Sequence, residues 1–417
     1  MPAESAVTAA PPADDPHRVP WKGAFPCVAA IVVLFLAASS APSPLYVIYQ
    51  QQWQFTAWVL TVVFALYVVG LLGSLLVVGA LSDHLGRRPV LAAAIGLEMV
   101  ALVLFYVAGD VFVLSAARVL QGIATGAATT TLSATLVDLE PSHTRGRAGV
   151  VTSVAPMAGL ALGALGSGLL VEFGPAPTRL VYALLFGAMV VAAVVVALMP
   201  ETSPRRPGAV ASLRPRVRMP AHLRADIVPV VPVMIAGWAL AGMYLSLGPS
   251  VAAGLFGLHS HLIGGALVTL LAGSGAVAVF LFRSRSASSL LAPSSAVLGF
   301  GTLISMAGMA QNLVWVSAAG TVVAGLGFGT SALATFGTFA RIAEPHERSA
   351  VFTLANVIAY LGNSVPAVLG GIAVTALGLR TAAEIYALTI VAITATALVL
   401  RLNQVRAEHR TVMAPSE

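Results

Sequence analysis

The feature that most constrains this chain is a repeated pattern of long apolar runs separated by short polar turns. A helix needs about 20 mostly apolar residues to span the hydrocarbon core of a bilayer. Runs of this length predict twelve spans, at residues 25–49, 57–81, 89–108, 111–136, 148–171, 179–199, 227–248, 262–282, 290–309, 314–339, 350–375 and 381–400. The sequence therefore predicts an all-α membrane protein with twelve transmembrane helices.

Composition supports a membrane protein and excludes a soluble enzyme. Charged residues make up 9% of the chain and hydrophobic residues 58%, whereas soluble domains carry about 25% charged residues. So few charges cannot cover the surface of a water-soluble body of this size. The net charge of +6 comes from residues between the apolar runs, so we expect no nucleic-acid partner. The single cysteine, Cys27, excludes an intrachain disulfide.

The positions of lysine and arginine predict which side of the membrane each loop faces. When alternate loops are assigned to opposite sides, one side receives nearly all of the 22 basic residues, and only Arg118, Arg179 and Arg380 fall elsewhere. Basic loops face the cytoplasm, so we expect both termini in the cytoplasm. Arginine greatly outnumbers lysine, which favours a bacterial source and hence the bacterial inner membrane.

One long polar segment divides the chain. Residues 200–226 are rich in Pro, Arg and Ser, and they predict a cytoplasmic linker between two six-helix halves, residues 25–199 and 227–400. A disordered cytoplasmic tail, residues 1–24, and a second cytoplasmic tail, residues 401–417, flank the halves. Patterns that recur at offsets of 200 to 204 residues predict two pseudo-symmetric bundles: Gly73-Ser74 as Gly273-Ser274, Gly122-x-x-x-Gly126 as Gly325-x-x-x-Gly329, and Glu140-Pro141 as Glu344-Pro345.

The turn between the second and third spans reads Gly79-Ala-Leu-Ser-Asp83-His84-Leu-Gly86-Arg87-Arg88. The glycines permit close helix approach and a tight turn, and Asp83 can accept hydrogen bonds from Arg87. A plain charged turn would explain the arginines but not the full pattern. The pattern resembles the signature loop of the major facilitator superfamily, between its second and third helices. The resemblance implies two six-helix bundles that rock about a central site, with this loop as a conformational switch.

The fourth span carries Arg118, Gln121, Gly122 and Thr125 on one helix face, because they are spaced at i, i+3, i+4 and i+7. A charge inside the bilayer is costly and usually faces a cavity or a partner. The pattern resembles the Arg-x-x-Gln-Gly motif of the superfamily, which occurs mainly in proton-coupled exporters. The resemblance implies that Arg118 tunes a nearby carboxylate or takes part in proton transfer. The alternative is a buried structural arginine.

Glu98 is the carboxylate nearest the middle of a predicted span. Counted from the outer ends of spans three and four, its depth differs from that of Arg118 by only about 5 Å, at the helical rise per residue. We therefore expect either an ion pair with Arg118 or a proton-binding site. In the fifth span, Pro156 and Gly159 resemble part of a motif of the superfamily's drug exporters. They predict a hinge, because the proline loosens the helix and the glycine allows a neighbouring helix to pack closely.

Further polar and aromatic residues predict a substrate cavity. The resemblance places helices one, four, seven and ten around a central cavity, with helices two, five, eight and eleven gating it. Candidate lining residues are Ser43, Tyr46, Trp238, Tyr244, Asn356, Tyr360 and Asn363. Such a cavity suits neutral or amphiphilic organic molecules, or anions attracted by Arg118, although each residue could instead form a helix–helix contact. Pro42 and Pro44 predict a bend in the first span.

Together these features predict a secondary transporter that couples proton entry to efflux of a drug or metabolite. Its expected partners are a small-molecule substrate, protons and the lipid bilayer. We expect a monomer, no cofactor and no metal, with the proton gradient as the energy source. Two alternatives stay open: a proton-coupled importer of a sugar or organic acid, and the permease of an ATP-driven pump. The chain has no Gly-x-x-x-x-Gly-Lys-Ser/Thr pattern, so it does not itself hydrolyse ATP through a P-loop.

Overall fold

The computed structural model describes residues 23–140, 146–203, 207–213, 221–258, 260–344 and 347–413, and this part of the chain is all-helical. The first half contains α1 (Ala24–Ser40), α2 (Tyr46–Trp53), α3 (Ala57–Val78), α4 (Leu81–Leu85), α5 (Arg87–Val107), α6 (Val111–Asp138), α7 (Arg147–Phe173) and α8 (Leu180–Leu198). Short helices follow at α9 (Ala209–Ser212), a 3-10 turn (Ala221–Leu223) and α10 (Arg224–Ile227). The second half contains α11 (Val231–Ser246), α12 (Gly248–Phe256), α13 (His261–Phe282), α14 (Ala287–Ala310), α15 (Val314–Ile342), α16 (Arg348–Leu377) and α17 (Leu379–Met413).

These helices confirm the all-α membrane fold. Among the described residues, ten helices are long and apolar enough to cross a bilayer, and α11 with α12, bent by 63°, adds an eleventh crossing when the pair is counted as one span. The remaining predicted span, 25–49, corresponds to α1, an apolar helix of 17 residues, and the start of α2. Residues 1–22 and 414–417 of the predicted tails, and 204–206 and 214–220 of the predicted linker, lie outside the described residues.

Two spans that the sequence predicts as single helices are broken by proline. Between α1 and α2 the chain turns at residues 41–45, where Pro42 and Pro44 lack the backbone N–H that a continuing helix needs. The predicted bend is confirmed, and it is a complete break. Residues 227–248 are also not one helix, because α11 ends at Ser246 and α12 starts with Pro249 in its first turn. The two breaks occupy equivalent places in the two halves.

Small residues let the helices approach at backbone distance. A Cβ atom at Gly122 of α6 would collide with the carbonyl of Tyr67 on α3, and one at Gly159 of α7 would lie 2.6 Å from the carbonyl oxygen of Val33 on α1. In a bilayer, helices associate through such close packing rather than through the hydrophobic effect. The glycine-rich composition of the spans is therefore the origin of their tight packing.

We call the side of the bundle that carries α4, α9 and α10 the linker end, and the opposite side the far end. The two halves meet where α3 packs on α16 and α7 on α13. At the far end, the Ser43 hydroxyl donates to the carbonyl of Leu245 over 2.5 Å. Nearer the middle, the Thr269 hydroxyl donates to the carbonyl of Ala161 over 2.9 Å. These contacts join the two halves in the part of the bundle towards the far end.

The outer surface of the bundle is apolar. Phe112 and Trp315 are each 86% exposed, and Val69 is 64% exposed. Soluble monomers rarely expose such large contiguous apolar area, whereas aromatic side chains favour the membrane–water interface. Phe112 is the second residue of α6 and Trp315 the second of α15. The two halves therefore present matching aromatic residues to the lipid at the far end.

Candidate functional site

The candidate site is built around Arg118, whose side chain is buried inside the first half with 1% exposure. Its Nε donates to the Tyr46 hydroxyl over 2.8 Å, and Nη2 also donates to that hydroxyl. Nη1 donates to the carbonyl oxygen of Ser39 over 2.9 Å. Arg118 therefore donates hydrogen bonds to residues on both sides of the break between α1 and α2.

The proline break explains why α1 offers acceptors at this level. In a continuous helix the carbonyl of Ala38 would accept from the residue four positions later, but that residue is Pro42, which has no N–H. The free carbonyl of Ala38 accepts instead from Nε2 of Gln121 over 3.1 Å. The side chains of α6 thus complete the hydrogen bonding of the interrupted α1, as buried backbone groups require.

The side chain of Gln121 lies between Arg118 and Glu98, where the sequence suggested a direct ion pair. Its Oε1 accepts from Arg118 Nη1 over 2.7 Å, and its Nε2 donates to Glu98 Oε1 over 3.1 Å. Among the described residues, no ion pair within 4.0 Å joins Arg118 to Glu98, so the predicted direct ion pair does not form. An amide carries both a donor and an acceptor, which lets Gln121 bridge the two charged groups.

Glu98 combines full burial with incomplete hydrogen bonding. Its side chain is 0% exposed, and in the described part of the chain its Oε2 has no hydrogen-bond partner. A buried polar atom without a partner is costly and calls for an explanation. A carboxyl group placed in this way can take up and release a proton at Oε2.

Aromatic rings enclose the guanidinium of Arg118. Its Cζ lies 5.4 Å from the ring centres of Tyr46 and Tyr67 and 5.9 Å from that of Phe105. These cation–π contacts stabilise a charge that is removed from water. Sequence reasoning missed Tyr67 and Phe105, because an aromatic residue inside an apolar run gives no signal beyond membrane insertion.

The other predicted residues of α6 have structural contacts. The Thr125 hydroxyl donates to the carbonyl of Gln121 in its own helix over 2.8 Å. Gly122 faces the backbone of α3. The residues predicted to share one function on this helix face therefore have different roles. Arg118 and Gln121 belong to the buried hydrogen-bond network, whereas Gly122 is a packing contact with α3. In α7, Pro156 lies inside the helix and Gly159 packs against α1, while a hinge role for them stays a prediction.

Ion pairs hold the predicted switch loop in place. Gly79 ends α3, and Gly86 joins α4 to α5 with a φ of 104°, a conformation that favours glycine. Arg87 Nη1 lies 2.6 Å from Asp83 Oδ1, as the sequence suggested. Arg87 Nε also reaches Oδ2 of Asp138, at the end of α6, over 3.2 Å. The loop therefore ties the linker ends of α3, α5 and α6 together.

Glu201, which sequence reasoning missed, caps α5. Its Oε1 accepts from the backbone N–H of Arg87 over 2.7 Å, and its Oε2 from that of Arg88 over 3.2 Å. A carboxylate at a helix N-terminus satisfies free N–H groups and complements the helix dipole. Arg88 in turn donates to the carbonyl of Val196 near the end of α8 over 3.2 Å. The only available signal was an acid directly after the sixth apolar run.

Trp238 is the centre of an aromatic cluster in the second half. Its ring centre lies 5.9 Å from that of Phe328, 6.5 Å from that of Phe336 and 5.5 Å from that of Tyr360. The indole Nε1 is buried and has no hydrogen-bond partner in the described part of the chain. Tyr360 also packs against the cluster of α3 residues that includes Tyr67, so these rings lie between the halves.

The structure does not bring all seven predicted cavity residues together. Asn363 joins the Trp238 cluster, because its Nδ2 donates to the Trp238 carbonyl over 3.2 Å. Asn356 bonds within its own helix, to the carbonyl of Phe352. The Tyr244 hydroxyl lies 2.7 Å from that of Thr321, inside the second half beside a cavity of about 40 Å³. Tyr46 belongs to the Arg118 network, and Ser43 to the contact at the far end.

A helical membrane bundle in two halves, with buried polar groups inside it, is an architecture that membrane transporters use. The sequence profile of the Major Facilitator Superfamily matches residues 28–291, and the chain belongs to that superfamily. It is therefore a multi-pass membrane transporter of small molecules rather than an enzyme.

Solved structures share this fold. A bacterial homologue of the human lysosomal transporter Spinster, crystallised inward-facing and unoccupied, is 14% identical with a TM-score of 0.72, over 91% of this chain and 96% of that chain. The human organic anion transporter MFSD10 (TETRAN) is 17% identical with a TM-score of 0.60, over 91% of this chain and all of that chain. The MFS-type transporter paaT of Penicillium rubens is 33% identical over 111 residues, which span 27% of this chain and 20% of that relative.

Proposed function

We propose that this transporter exports a small organic compound in exchange for protons, by alternating access to a site between its halves. Glu98 carries the proposal, because it is a fully buried carboxyl with one unpartnered oxygen. Ionisable residues inside a membrane bundle commonly mark proton pathways. The cost of a buried charge depends on its neighbours, so proton binding at Glu98 is linked to the arrangement of the groups around it.

A chain of contacts connects Glu98 to a hydrogen bond that joins the two halves. Glu98 accepts from Gln121, which also donates to the freed carbonyl of Ala38 on α1. Five residues further along the chain, in the turn that follows α1, Ser43 donates to the carbonyl of Leu245 on α11. That carbonyl is free because the residue four positions later is Pro249. A change in the charge of Glu98 thus acts on the segment that joins the halves at the far end.

The substrate in this proposal binds beside Trp238 and Tyr360, at the boundary between the halves. Stacked and edge-on aromatic rings favour organic molecules with apolar or aromatic surface. The unpartnered Nε1 of Trp238 offers a hydrogen bond to an acceptor on such a molecule. A drug or metabolite of amphiphilic character fits this chemistry.

We further propose that the linker end faces the cytoplasm of a bacterial cell, with both termini on that side, in the inner membrane, and that the protein acts as a monomer. Loops rich in arginine at this end support the orientation. Cysteines introduced one at a time, on a Cys27→Ser background, should react with an impermeant maleimide in intact spheroplasts at residue 258 and not at residue 208. Labelling at residue 208 and not at residue 258 would contradict this orientation and place the linker end outside the cell.

Purified protein in proteoliposomes with an imposed pH gradient tests the coupling. We expect a proton gradient to drive substrate against its concentration, and a protonophore to abolish this accumulation. Glu98→Gln should retain substrate exchange without a gradient but lose the response to the gradient. Deleting the gene should raise cellular accumulation of the substrate. If the deletion instead lowers accumulation, the protein is an importer. If Glu98→Gln still transports in response to the gradient, Glu98 is not the residue that couples transport to protons.

A further inference from the structure

The second half contains a cavity of about 270 Å³ at the linker end, separate from the Arg118 network and from the Trp238 cluster. It lies between α10, the start of α11, the start of α14, the end of α15 and the middle of α17. Its volume approaches the lower limit of typical small-molecule pockets. The residues that determine its character are Asp226, Val230, Ser295, Thr338, Arg341 and Arg401.

The cavity has a charged rim and an uncharged floor. Asp226 and Arg341 are exposed, and Arg401 follows the last apolar turns of α17. Ser295 and Thr338 are each only 3% exposed. Their hydroxyl groups donate to carbonyls of their own helices, so they present acceptors rather than donors to the cavity. This arrangement suits an amphiphile with its charged head at the membrane surface and its apolar part towards the bilayer interior.

The rim carries charges of opposite sign, with Asp226 on one hand and Arg341 and Arg401 on the other. In the described part of the chain, no ion pair within 4.0 Å joins Asp226 to Arg341. Arginine binds phosphate with paired, charge-assisted hydrogen bonds. A carboxylate at the same rim favours an ammonium group and disfavours a second anion. A ligand that carries both a phosphate and an ammonium group would therefore find a partner for each charge at this rim.

We propose that this cavity binds a head group that carries a phosphate and a primary ammonium, as in an ethanolamine phospholipid of the leaflet at the linker end. The phosphate lies at Arg341 and Arg401, and the ammonium donates to Asp226. Basic pockets between transmembrane helices are established places for lipid head groups. Choline phospholipids lack the N–H donors that Asp226 requires, and glycerol phospholipids lack the positive charge.

Native mass spectrometry of the full-length protein, released from detergent micelles, tests the proposal. The probes are ethanolamine, choline and glycerol phospholipids with identical acyl chains, and free glycerophosphoethanolamine. We expect the ethanolamine lipid to bind at least 5-fold more tightly than the other two lipids. Asp226→Asn should bring this preference close to 1-fold, and Arg341→Gln should weaken binding of all three lipids at least 5-fold.

Arg283→Gln is the matched control, because Arg283 is an exposed arginine at the same end that stacks on Phe280 and does not line the cavity. It should bind lipids as the wild type does. If Arg341→Gln fails to fold, Arg341→Lys tests the same contact, since it keeps the charge and loses the fork of donors. Equal binding of free glycerophosphoethanolamine and the lipid would support the head-group site with a soluble ligand. Unchanged lipid preference in Asp226→Asn would overturn the proposal.

Discussion

At the scale of single residues, Gln121 is the side chain on which the buried network depends. It accepts from Arg118 and donates to Glu98 and to the carbonyl of Ala38. Hydrogen bonds to charged groups contribute about 1.5–3 kcal/mol each. Without Gln121, the guanidinium and the carboxyl each lose a partner in a buried site.

Gln121→Leu tests this role. We expect gradient-driven transport to fall at least 10-fold and the melting temperature in detergent to fall, because two hydrogen bonds to buried charged groups are lost, at about 1.5–3 kcal/mol each. Thr131→Val is the matched control, since that buried hydroxyl donates to the carbonyl of Ala127 in its own helix, and it should keep transport within about 2-fold. Full coupled transport by Gln121→Leu would contradict the bridging role.

A second prediction concerns glycine. Gly122→Ala should strongly destabilise the protein, because the added Cβ collides with the backbone of Tyr67 on α3. Gly96→Ala, on α5, meets nothing within 4 Å and should be neutral or stabilising by up to about 1 kcal/mol. Thermal unfolding followed by fluorescence-detected size-exclusion chromatography measures both. Similar melting temperatures for the two variants would show that this close packing contributes little.

Sequence alone could predict local contacts but not those that join distant segments. The pair of Asp83 and Arg87 follows from a spacing of four residues on one turn. The Glu201 cap of α5 is separated from Arg87 by 114 residues, and no periodicity connects the two. Likewise, the depths of Glu98 and Arg118 suggested proximity, but only side-chain geometry places Gln121 between them.

At the scale of helices, proline breaks create the acceptors that the site uses. A free carbonyl on α1 receives Gln121, and a free carbonyl on α11 receives Ser43. The apolar runs predicted where these spans lie and that Pro42 and Pro44 bend the first one. They did not reveal which side chains would replace the lost backbone hydrogen bonds, because those donors come from other helices.

The Glu201 cap yields a prediction at this scale. Glu201→Ala removes acceptors from the first N–H groups of α5, so we expect the switch loop to loosen and the transport rate to fall several-fold with little change in expression. Amide hydrogen exchange over residues 81–90 should rise at the same time. Glu384→Ala, a carboxylate of α17 far from the loop, is the control. Unchanged exchange in Glu201→Ala would show that the cap does not hold the loop.

At the scale of the whole molecule, the two halves join at the far end through contacts that alternating access must break. Glu172 on α7 accepts from the backbone N–H of His261 on α13 over 2.8 Å. Gly371 on α16 lies against Thr61 on α3, where a Cβ atom at Gly371 would be 2.8 Å from Thr61 Cγ2. Both contacts connect one half to the other, so opening this end requires them to separate.

A disulfide between Ala161→Cys on α7 and Gly273→Cys on α13, on a Cys27→Ser background, tests alternating access most directly. A Cβ atom at Gly273 would lie 3.8 Å from the Cβ atom of Ala161, within the range that a disulfide requires, so oxidation should fix α7 to α13 and lock the two halves together. We predict that oxidised protein in proteoliposomes loses transport and that a reductant restores it, while each single-cysteine variant transports in both conditions. Undiminished transport by the fully oxidised double variant would contradict a mechanism in which the two halves move relative to each other.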